Sequence, residues 1–236
     1  IKDAIAYAHD LDTQRTSNYV SNSFYGDARR DGTIFGDIIM INEYIGTWMQ
    51  NLDEHEEINK VLTANPGRPL VPSEFGLCEP AFPGGDKRRA EIFLRKMAIY
   101  RQYPEIAGTI YFCLNDYRTQ MGEEGEGKYR CRVHGSTELD GTPKSSYYEV
   151  QRECAPFYID WSGESIVFTC RNNLPCYTMK GYTGVLLDAE ERMIDQFIIP
   201  DLLPGESWHK NSLDGSKIAV YRPNQDCAGT YMKVSC

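Results

Sequence analysis

The stretch Pro69-Leu70-Val71-Pro72-Ser73-Glu74-Phe75-Gly76 contains an apolar run that leads to a carboxylate at Glu74 and then to a glycine. A short continuous apolar run bounded by turn residues is typical of a strand covered on both faces, as in a parallel sheet. We therefore predict a strand at 70–74 with Glu74 at its carboxyl end. The glycine that follows lets a backbone or a ligand approach closely.

Outward from this strand, helical and strand-like segments alternate over residues 1–153. The predicted strands are 18–21, 37–42, 70–74 and 106–114. The predicted helices are 1–15, 48–64, one capped by Asp86, and 143–152, with a glycine-rich loop over 118–142. The alternation indicates four parallel strand–helix units.

The periodicity changes after Cys154. Short β-type runs separated by turn residues follow, at 165–171, 182–187, 193–199, 217–221 and 231–235. This pattern predicts a second domain over 155–236, a small all-β, immunoglobulin-like sandwich.

The composition excludes several classes of function. With 25 Lys and Arg against 34 Asp and Glu, the net charge of -9 argues against nucleic acid or anionic membrane as a partner. No apolar run reaches the length of a membrane span. The 8 cysteines show no Cys-x-x-Cys pair and no zinc-ligand spacing, so no metal and no cofactor are expected. Cys170 with Cys176, and Cys227 with Cys236, could form disulfides in an oxidising compartment, and unbridged thiols are the alternative.

Polar side chains follow each predicted strand, in the groups 21–23, 42–44, 73–74 and 115–117. In (β/α) barrels, catalytic residues project from the carboxyl ends of the strands. Retaining hydrolysis of a glycosidic bond needs one carboxylate that attacks the anomeric carbon and a second carboxyl that protonates the leaving oxygen. Glu74 suits the nucleophile, because a nearby tyrosine hydroxyl could hold it ionised and aimed. A buried glutamate in a structural ion pair is the alternative.

Five segments add weight to this interpretation. They are Val20-Ser21-Asn22-Ser23, Asp37 to Tyr44, Pro69 to Gly76, Gly108 to Asp116, and Gly141 to Ser145. Their order and spacing resemble those of family 2 glycoside hydrolases, the β-glucuronidase and β-galactosidase family. The resemblance covers residues 1–153 and implies strands five to eight of a (β/α)8 TIM barrel, followed by the family's β-sandwich. It places Glu74 on the nucleophile, Tyr44 on the tyrosine that orients it, and Asn42 on a neighbouring polar residue.

The chain also departs from the family. The family's acid/base glutamate follows an asparagine on strand four, and this chain begins beyond that point. The resemblance therefore implies a fragment of a retaining exo-β-glycosidase that is inactive alone. The pair Asn42-Glu43 imitates the missing motif two strands later, and a solvated loop carboxylate is the expected role of Glu43.

Four further residues are candidates for contact with the sugar. Trp48 follows strand six near the mouth of the barrel, and Phe112 stands where the family has a tryptophan that stacks on the sugar. Arg132 and His134 stand where glucuronidases have an Asn-x-Lys motif that binds a carboxylate. Because that motif is absent, we expect a neutral hexose, and the cationic pair leaves a uronic acid open.

A non-catalytic carbohydrate-binding or interaction module is the alternative from another class. In the tail, Trp161, Trp208, Tyr177 and Tyr182 form either a sugar-binding face or the sandwich core, and we expect the core. A half barrel leaves open sheet edges, so the expected partners besides a carbohydrate are a second copy of the chain or the N-terminal half of the parent enzyme. The compartment stays open, with the periplasm or secretion among the options.

Overall fold

The computed structural model describes residues 1–78, 83–120, 130–161, 163–211 and 215–233. The chain divides into two units, Ile1–Tyr147 and Tyr148–Cys236. The helices are α1 (Lys2–Leu11), α2 (Glu54–Ala64), α3 (Gly85–Tyr100) and α4 (Ser145–Glu153), with a short 3-10 helix at Gly32–Phe35. The strands of the first unit are β1 (Val20–Ser21), β2 (Ile39–Asn42), β3 (Leu70–Glu74), β4 (Tyr117–Arg118) and β5 (Cys131–Arg132).

A parallel sheet forms the centre of the first unit, with the strands in the order β1, β2, β3. Ile39 pairs with Leu70 and Asn42 with Glu74, so the carboxyl ends of β2 and β3 meet at one edge. Ile39, Ile41 and Leu70 are fully buried, as expected for a sheet covered on both faces. Parallel pairing at β3 agrees with the prediction from the sequence.

The fourth strand predicted at 106–114 is present only in part. The segment makes isolated parallel bridges from Ile106 to Leu70 and from Tyr111 to Phe75. Beyond Phe112 its backbone turns to residues 134–137, where Ser136 N–H donates to Cys113 O and Thr137 N–H donates to Leu114 O. Because its hydrogen bonds divide between two neighbours, no continuous strand forms. Among the described residues, the regular parallel sheet of the first unit therefore has three strands, not the four predicted.

Several predicted helix ends were wrong for local reasons. α1 ends at Leu11 and not at residue 15, because Asp12 is extended and its carboxylate accepts the backbone N–H groups of residues 14 and 15. α2 begins at Glu54 and not at residue 48, since the Asp53 carboxylate caps the helix at Glu56 N, 2.8 Å away. The predicted cap of α3 is also wrong: the N-cap is Gly84, and Asp86 lies in the first turn.

The predicted loop at 118–142 contains two short strands that the sequence did not indicate. β4 pairs with β5 as a short antiparallel hairpin. The glycine-rich centre, residues 121–129, lies outside the described residues.

The second unit contains two antiparallel sheets, an arrangement consistent with a β-sandwich. The strands are β6 (Phe157–Asp160), β7 (Ser165–Cys170), β8 (Thr183–Leu187), β9 (Met193–Ile198), β10 (Ser207–Asn211), β11 (Lys217–Tyr221) and β12 (Cys227–Met232). One sheet has the order β10-β7-β6 and the other β12-β11-β8-β9. Both sheets contribute to one core, for example Phe168 from the first and Leu186 and Val220 from the second.

Three of the four tail aromatics pack into this core. Trp161 and Tyr182 are buried and Trp208 packs against the same cluster, whereas Tyr177 is 45% exposed. Cys170 and Cys176 are both unbridged, and so is Cys227. The second suggested disulfide needs Cys236, which lies outside the described residues.

Candidate active site

The central contact of the site joins Tyr44 to Glu74. The Tyr44 hydroxyl donates to Glu74 Oε2 at 3.0 Å, the geometry that the sequence predicts for this pair. Burial, and then the charge of Glu74, raise the pKa of Tyr44 well above its usual value. Tyr44 therefore remains a neutral hydrogen-bond donor at any ordinary pH. The roles of the two residues stay predictions.

The backbone of the two strand ends fixes this contact. Glu43 N–H donates to Glu74 O at 2.7 Å, one residue before Tyr44. The register between β2 and β3 shifts between Ile41 and Asn42, so Asn42 lies opposite Glu74. Ser73 Oγ donates to Asn42 Oδ1 at 3.0 Å. Asn42, Tyr44 and Glu74 are thus brought together at the carboxyl edge of the sheet.

An aromatic cluster contains the next candidate residues. The rings of Phe112, Tyr117 and His134 pack edge to face on one another, with centroids 5.6–5.8 Å apart. Arg132 Nη1 donates to the Tyr117 hydroxyl at 3.5 Å. Phe112, Arg132 and His134 are therefore neighbours, and their contact with a sugar stays a prediction.

This aromatic cluster is tied to the end of β3. Phe112 N–H donates to Phe75 O at 3.0 Å. Gly76 has φ +154°, and a Cβ atom on it would lie 2.3 Å from Phe112 O. The negative charge of Glu74 also contributes to raising the pKa of Cys113, which reaches about 11, after the larger effects of burial and Asp116. The segment that carries Phe112 is therefore close to the Glu74 carboxylate.

The polar group 115–117 has a structural role at Asp116. Asp116 is buried, pairs with Lys144 Nζ at 2.8 Å and accepts Gly135 N–H at 2.9 Å. Lys144 also donates to Gly135 O. This ion pair holds the 135–144 segment beside Asn115. The Asp116 carboxylate therefore has a structural role at the site.

The expectation of a solvated Glu43 was wrong. Glu43 is fully buried, and its carboxylate accepts hydrogen bonds from Lys96 and Tyr100. Adjacent residues of an extended chain point to opposite faces, so Glu43 faces α3 while Tyr44 faces Glu74. The sequence contains a signal for this pair, because Lys96 lies on the same face of α3 as the buried Phe93 and Tyr100 and a buried lysine needs a partner.

Trp48 and the polar group 21–23 lie outside the aromatic cluster. Trp48 is 49% exposed, in the turn segment between Tyr44 and α2. After β1, Ser21 and Ser23 both donate to the Asp31 carboxylate, which holds that loop while Asn22 faces solvent.

Within the described ranges no group of three or more His, Cys, Asp or Glu is placed to hold a metal ion. Nor does any helix among those residues have the length and hydropathy needed to cross a membrane.

Comparison with solved structures finds similar folds among glycosidases. A β-glucuronidase from Faecalibacterium prausnitzii matches 64% of this chain and 27% of its own, at 22% identity and a TM-score of 0.51. A "putative beta-galactosidase" from Bacteroides fragilis matches 98% of this chain and 37% of its own, at 14% identity and a TM-score of 0.56. A β-D-glucuronidase from Dictyoglomus thermophilum matches 64% and 28%, at 16% identity and a TM-score of 0.52.

These likenesses concern the fold. The chain spans between a quarter and two fifths of the length of these neighbours. No family model matches the chain, and no curated protein matches it.

Proposed function

We propose that this chain carries the nucleophile of a retaining exo-β-glycosidase of the β-galactosidase or β-glucuronidase type. The observation that carries the proposal is the Tyr44 hydroxyl on the Glu74 carboxylate at the carboxyl edge of parallel strands. In this proposal β1, β2, β3 and the 106–114 segment are strands five to eight of a (β/α)8 barrel. Residues 1–153 then form the partial catalytic domain and 155–236 an immunoglobulin-like sandwich.

Hydrolysis proceeds in two balanced steps. The Glu74 carboxylate attacks the anomeric carbon and forms an ester, while the bond to the leaving oxygen breaks and that oxygen takes a proton from an acid. Water then attacks the same carbon, gives its proton to the conjugate base, and releases Glu74 as a carboxylate. Tyr44 keeps Glu74 aimed at the anomeric carbon in both steps, because a neutral hydroxyl can donate a hydrogen bond to the carboxylate and to the ester.

The acid/base group in this proposal comes from a segment outside this chain. Glu43 is unsuited to the task because it is fully buried and bonded to Lys96 and Tyr100. General acid catalysis contributes about 10²- to 10⁴-fold, and in this proposal the sugar pocket also needs the remaining strands of the barrel, so we expect the chain alone not to turn over aryl β-glycosides at an enzyme-like rate.

Substrate contacts are proposed for five residues. They are Asn42, Trp48, Phe112, Arg132 and His134. The phenyl face of Phe112 can pack on sugar C–H groups, and Asn42 can bond a hydroxyl. A neutral hexose is the expected sugar, while Arg132 beside His134 supplies the chemistry that a uronate would need.

The proposal is tested with a panel of nitrophenyl β-galactoside, β-glucoside and β-glucuronide. Three proteins are compared: this chain, the complete protein that contains it, and the complete protein with Glu74→Gln. We expect activity only in the complete protein, with Glu74→Gln lowering kcat at least about 10³-fold. Glu57→Gln, which changes a buried glutamate paired with Lys60 on α2, is the control and should keep full activity.

Two outcomes would count against the proposal. Full activity in this chain alone would remove the need for an outside acid/base. Normal activity in Glu74→Gln would end the nucleophile assignment and favour a non-catalytic carbohydrate-binding module.

A further inference from the structure

A buried charge cluster lies directly behind the Tyr44–Glu74 contact. Glu43 Oε1 and Oε2 lie 2.6 and 2.7 Å from Lys96 Nζ, and the Tyr100 hydroxyl donates to Oε2 at 2.5 Å. The Glu43 side chain is 0% exposed and that of Lys96 is 1% exposed. The same Lys96 ammonium lies 2.7 Å from Glu54 Oε1 at the start of α2.

The cluster is more elaborate than fold stability requires. Removing two charges from water is costly, and a well-packed apolar pair of similar volume is often as stable or more so. Ion pairs of this kind are kept in some proteins because they enforce one arrangement of the chain.

Glu43 acts on the backbone that carries Tyr44. Its carboxylate Oε1 accepts Ile45 N–H at 2.7 Å, which closes a tight loop around Tyr44. Its own N–H donates to Glu74 O at 2.7 Å. The residues on both sides of Tyr44 are thus fixed, and one of them is bonded to the residue that Tyr44 orients.

Tyr100 links the cluster to the other partner. Its ring packs edge-on against Phe75, the neighbour of Glu74, with the centroids 5.3 Å apart and the planes at 89°. Phe75 is fully buried between Tyr100, Phe93 and Tyr111. A single helix, α3, therefore contacts the chain beside Tyr44 and the chain beside Glu74.

We propose that Glu43, Lys96 and Tyr100 are positioning residues that hold the Tyr44 hydroxyl on the Glu74 carboxylate. This inference rests on the proposed function, since it gives the cluster a part in the same reaction. All three side chains are fully buried, so each acts through the backbone or through its packing. A displacement of about 1 Å in a reacting group can lower a rate about 10²-fold, so small shifts of Tyr44 are expected to matter.

A double-mutant cycle in the complete protein tests the inference. The variants are Tyr44→Phe, Glu43→Gln and the double variant, assayed for kcat and KM on the best nitrophenyl glycoside. Glu43→Gln alone should lower kcat about 10-fold and leave KM within about twofold, because it disturbs a group that acts in the transition state. In the Tyr44→Phe background it should lower kcat by less than about twofold, because the hydroxyl that it positions is already gone.

Milder and matched variants keep the test decisive where Glu43→Gln fails to fold. Tyr100→Phe removes only the hydroxyl and keeps the ring on Phe75, and the same cycle with Tyr44→Phe should again be non-additive. Lys96→Arg should retain more activity than Lys96→Met, because arginine keeps a positive charge beside Glu43. Glu57→Gln controls for the loss of a buried carboxylate elsewhere and should leave kcat unchanged.

The outcomes separate the two proposals. Full activity of Glu74→Gln would refute the proposed function, whatever the cycle gives. With Glu74→Gln inactive, additive effects in the cycle, or unchanged kcat in folded Glu43→Gln and Tyr100→Phe, would overturn the positioning role alone.

Discussion

At the scale of single residues, the proposed chemistry depends on the Tyr44 hydroxyl and the Glu74 carboxylate. Tyr44 is half-buried beside Glu74 and its pKa is raised, so its hydroxyl stays protonated and donates a hydrogen bond at any ordinary pH. A donor to a carboxylate both aims it and stabilises its negative charge. We therefore expect catalysis to depend on the Tyr44 hydroxyl more than on its ring.

Tyr44→Phe is expected to lower kcat by about 10- to 100-fold and to change KM little, because it removes one hydrogen bond to the reacting carboxylate. Steady-state kinetics of the complete protein measure both constants. Thermal unfolding should show little change, since the ring is kept. A Tyr44→Phe variant with unaltered kcat would show that Glu74 is held by other groups.

Cys113 offers a test of the electrostatics at the same site. Burial, followed by the charge of Asp116, raises the pKa of its thiol to about 11. At pH 8 we expect about 100-fold less thiolate than at an ordinary cysteine, so iodoacetamide should label Cys113 far more slowly than the exposed Cys176. Peptide mapping after timed labelling gives both rates, and equal rates would contradict the buried environment.

The same pKa shift has a consequence for stability. The thiol loses its proton more readily in the unfolded chain, so its contribution to the free energy of unfolding is complete below about pH 9 and is lost as the pH rises to about 11. Urea unfolding at pH 8, 9, 10 and 11 should show stability falling over this range, and Cys113→Ala should reduce the slope. A slope that is the same in both proteins would assign the effect to other groups.

At the scale of elements, the end of β3 depends on a glycine. Gly76 has φ +154°, and a Cβ atom there would lie 2.3 Å from Phe112 O, which belongs to the backbone. Gly76→Ala should therefore destabilise the first unit by about 1–3 kcal/mol and lower activity by moving Phe112. Gly108→Ala is the matched control, because no atom lies within 4 Å of its Cβ position, and it should be close to neutral. Chemical unfolding of both variants measures the difference, and equal losses would contradict the account.

The sequence predicted the elements whose signals are local. β3 is found at Leu70–Glu74 as predicted, because its apolar run is continuous and bounded by turn residues. The segment at 106–114 was harder, because its second half bonds to residues 134–137, and the sequence between 118 and 133 gives no sign of that pairing. β6 and β10 were missed, the latter because Ser207–Asn211 alternates exposed and half-buried polar residues with one tryptophan.

In the candidate site too, one feature was expected before the structure and another was not. The pairing of Tyr44 with Glu74 was implied by the resemblance to the glycosidase family, and the sequence alone indicated only that polar groups after adjacent parallel strands share one edge. The burial of Glu43 could not be predicted from its own neighbours, since it depends on Lys96 and Tyr100 about 55 residues later. Long-range ion pairs of this kind leave only an indirect signal, a charged residue on an otherwise buried helix face.

At the scale of the whole molecule, the two units have separate cores. The core of the second unit is built from both of its sheets, with Phe168 in contact with Phe197 and Trp208. Phe168→Ala should lower the free energy of unfolding of this unit by about 3–5 kcal/mol, because it removes a fully buried ring. Unfolding followed by near-ultraviolet circular dichroism of the tryptophans measures the loss. A change in the free energy of unfolding below about 1 kcal/mol would contradict a core built from both sheets of this unit.

Trapping of the glycosyl ester shows whether Glu74 is the nucleophile. A 2-fluoro-β-glycosyl fluoride suits the experiment, because fluoride leaves without a proton donor and the fluorine at C2 slows hydrolysis of the ester. The complete protein is incubated with the galactosyl and glucuronyl reagents, digested and mapped by mass spectrometry. We predict one added fluoroglycosyl group, on the peptide that contains Glu74, and none in Glu74→Gln. A group attached to another carboxylate, or steady turnover of β-glycosides without any adduct, would contradict the account.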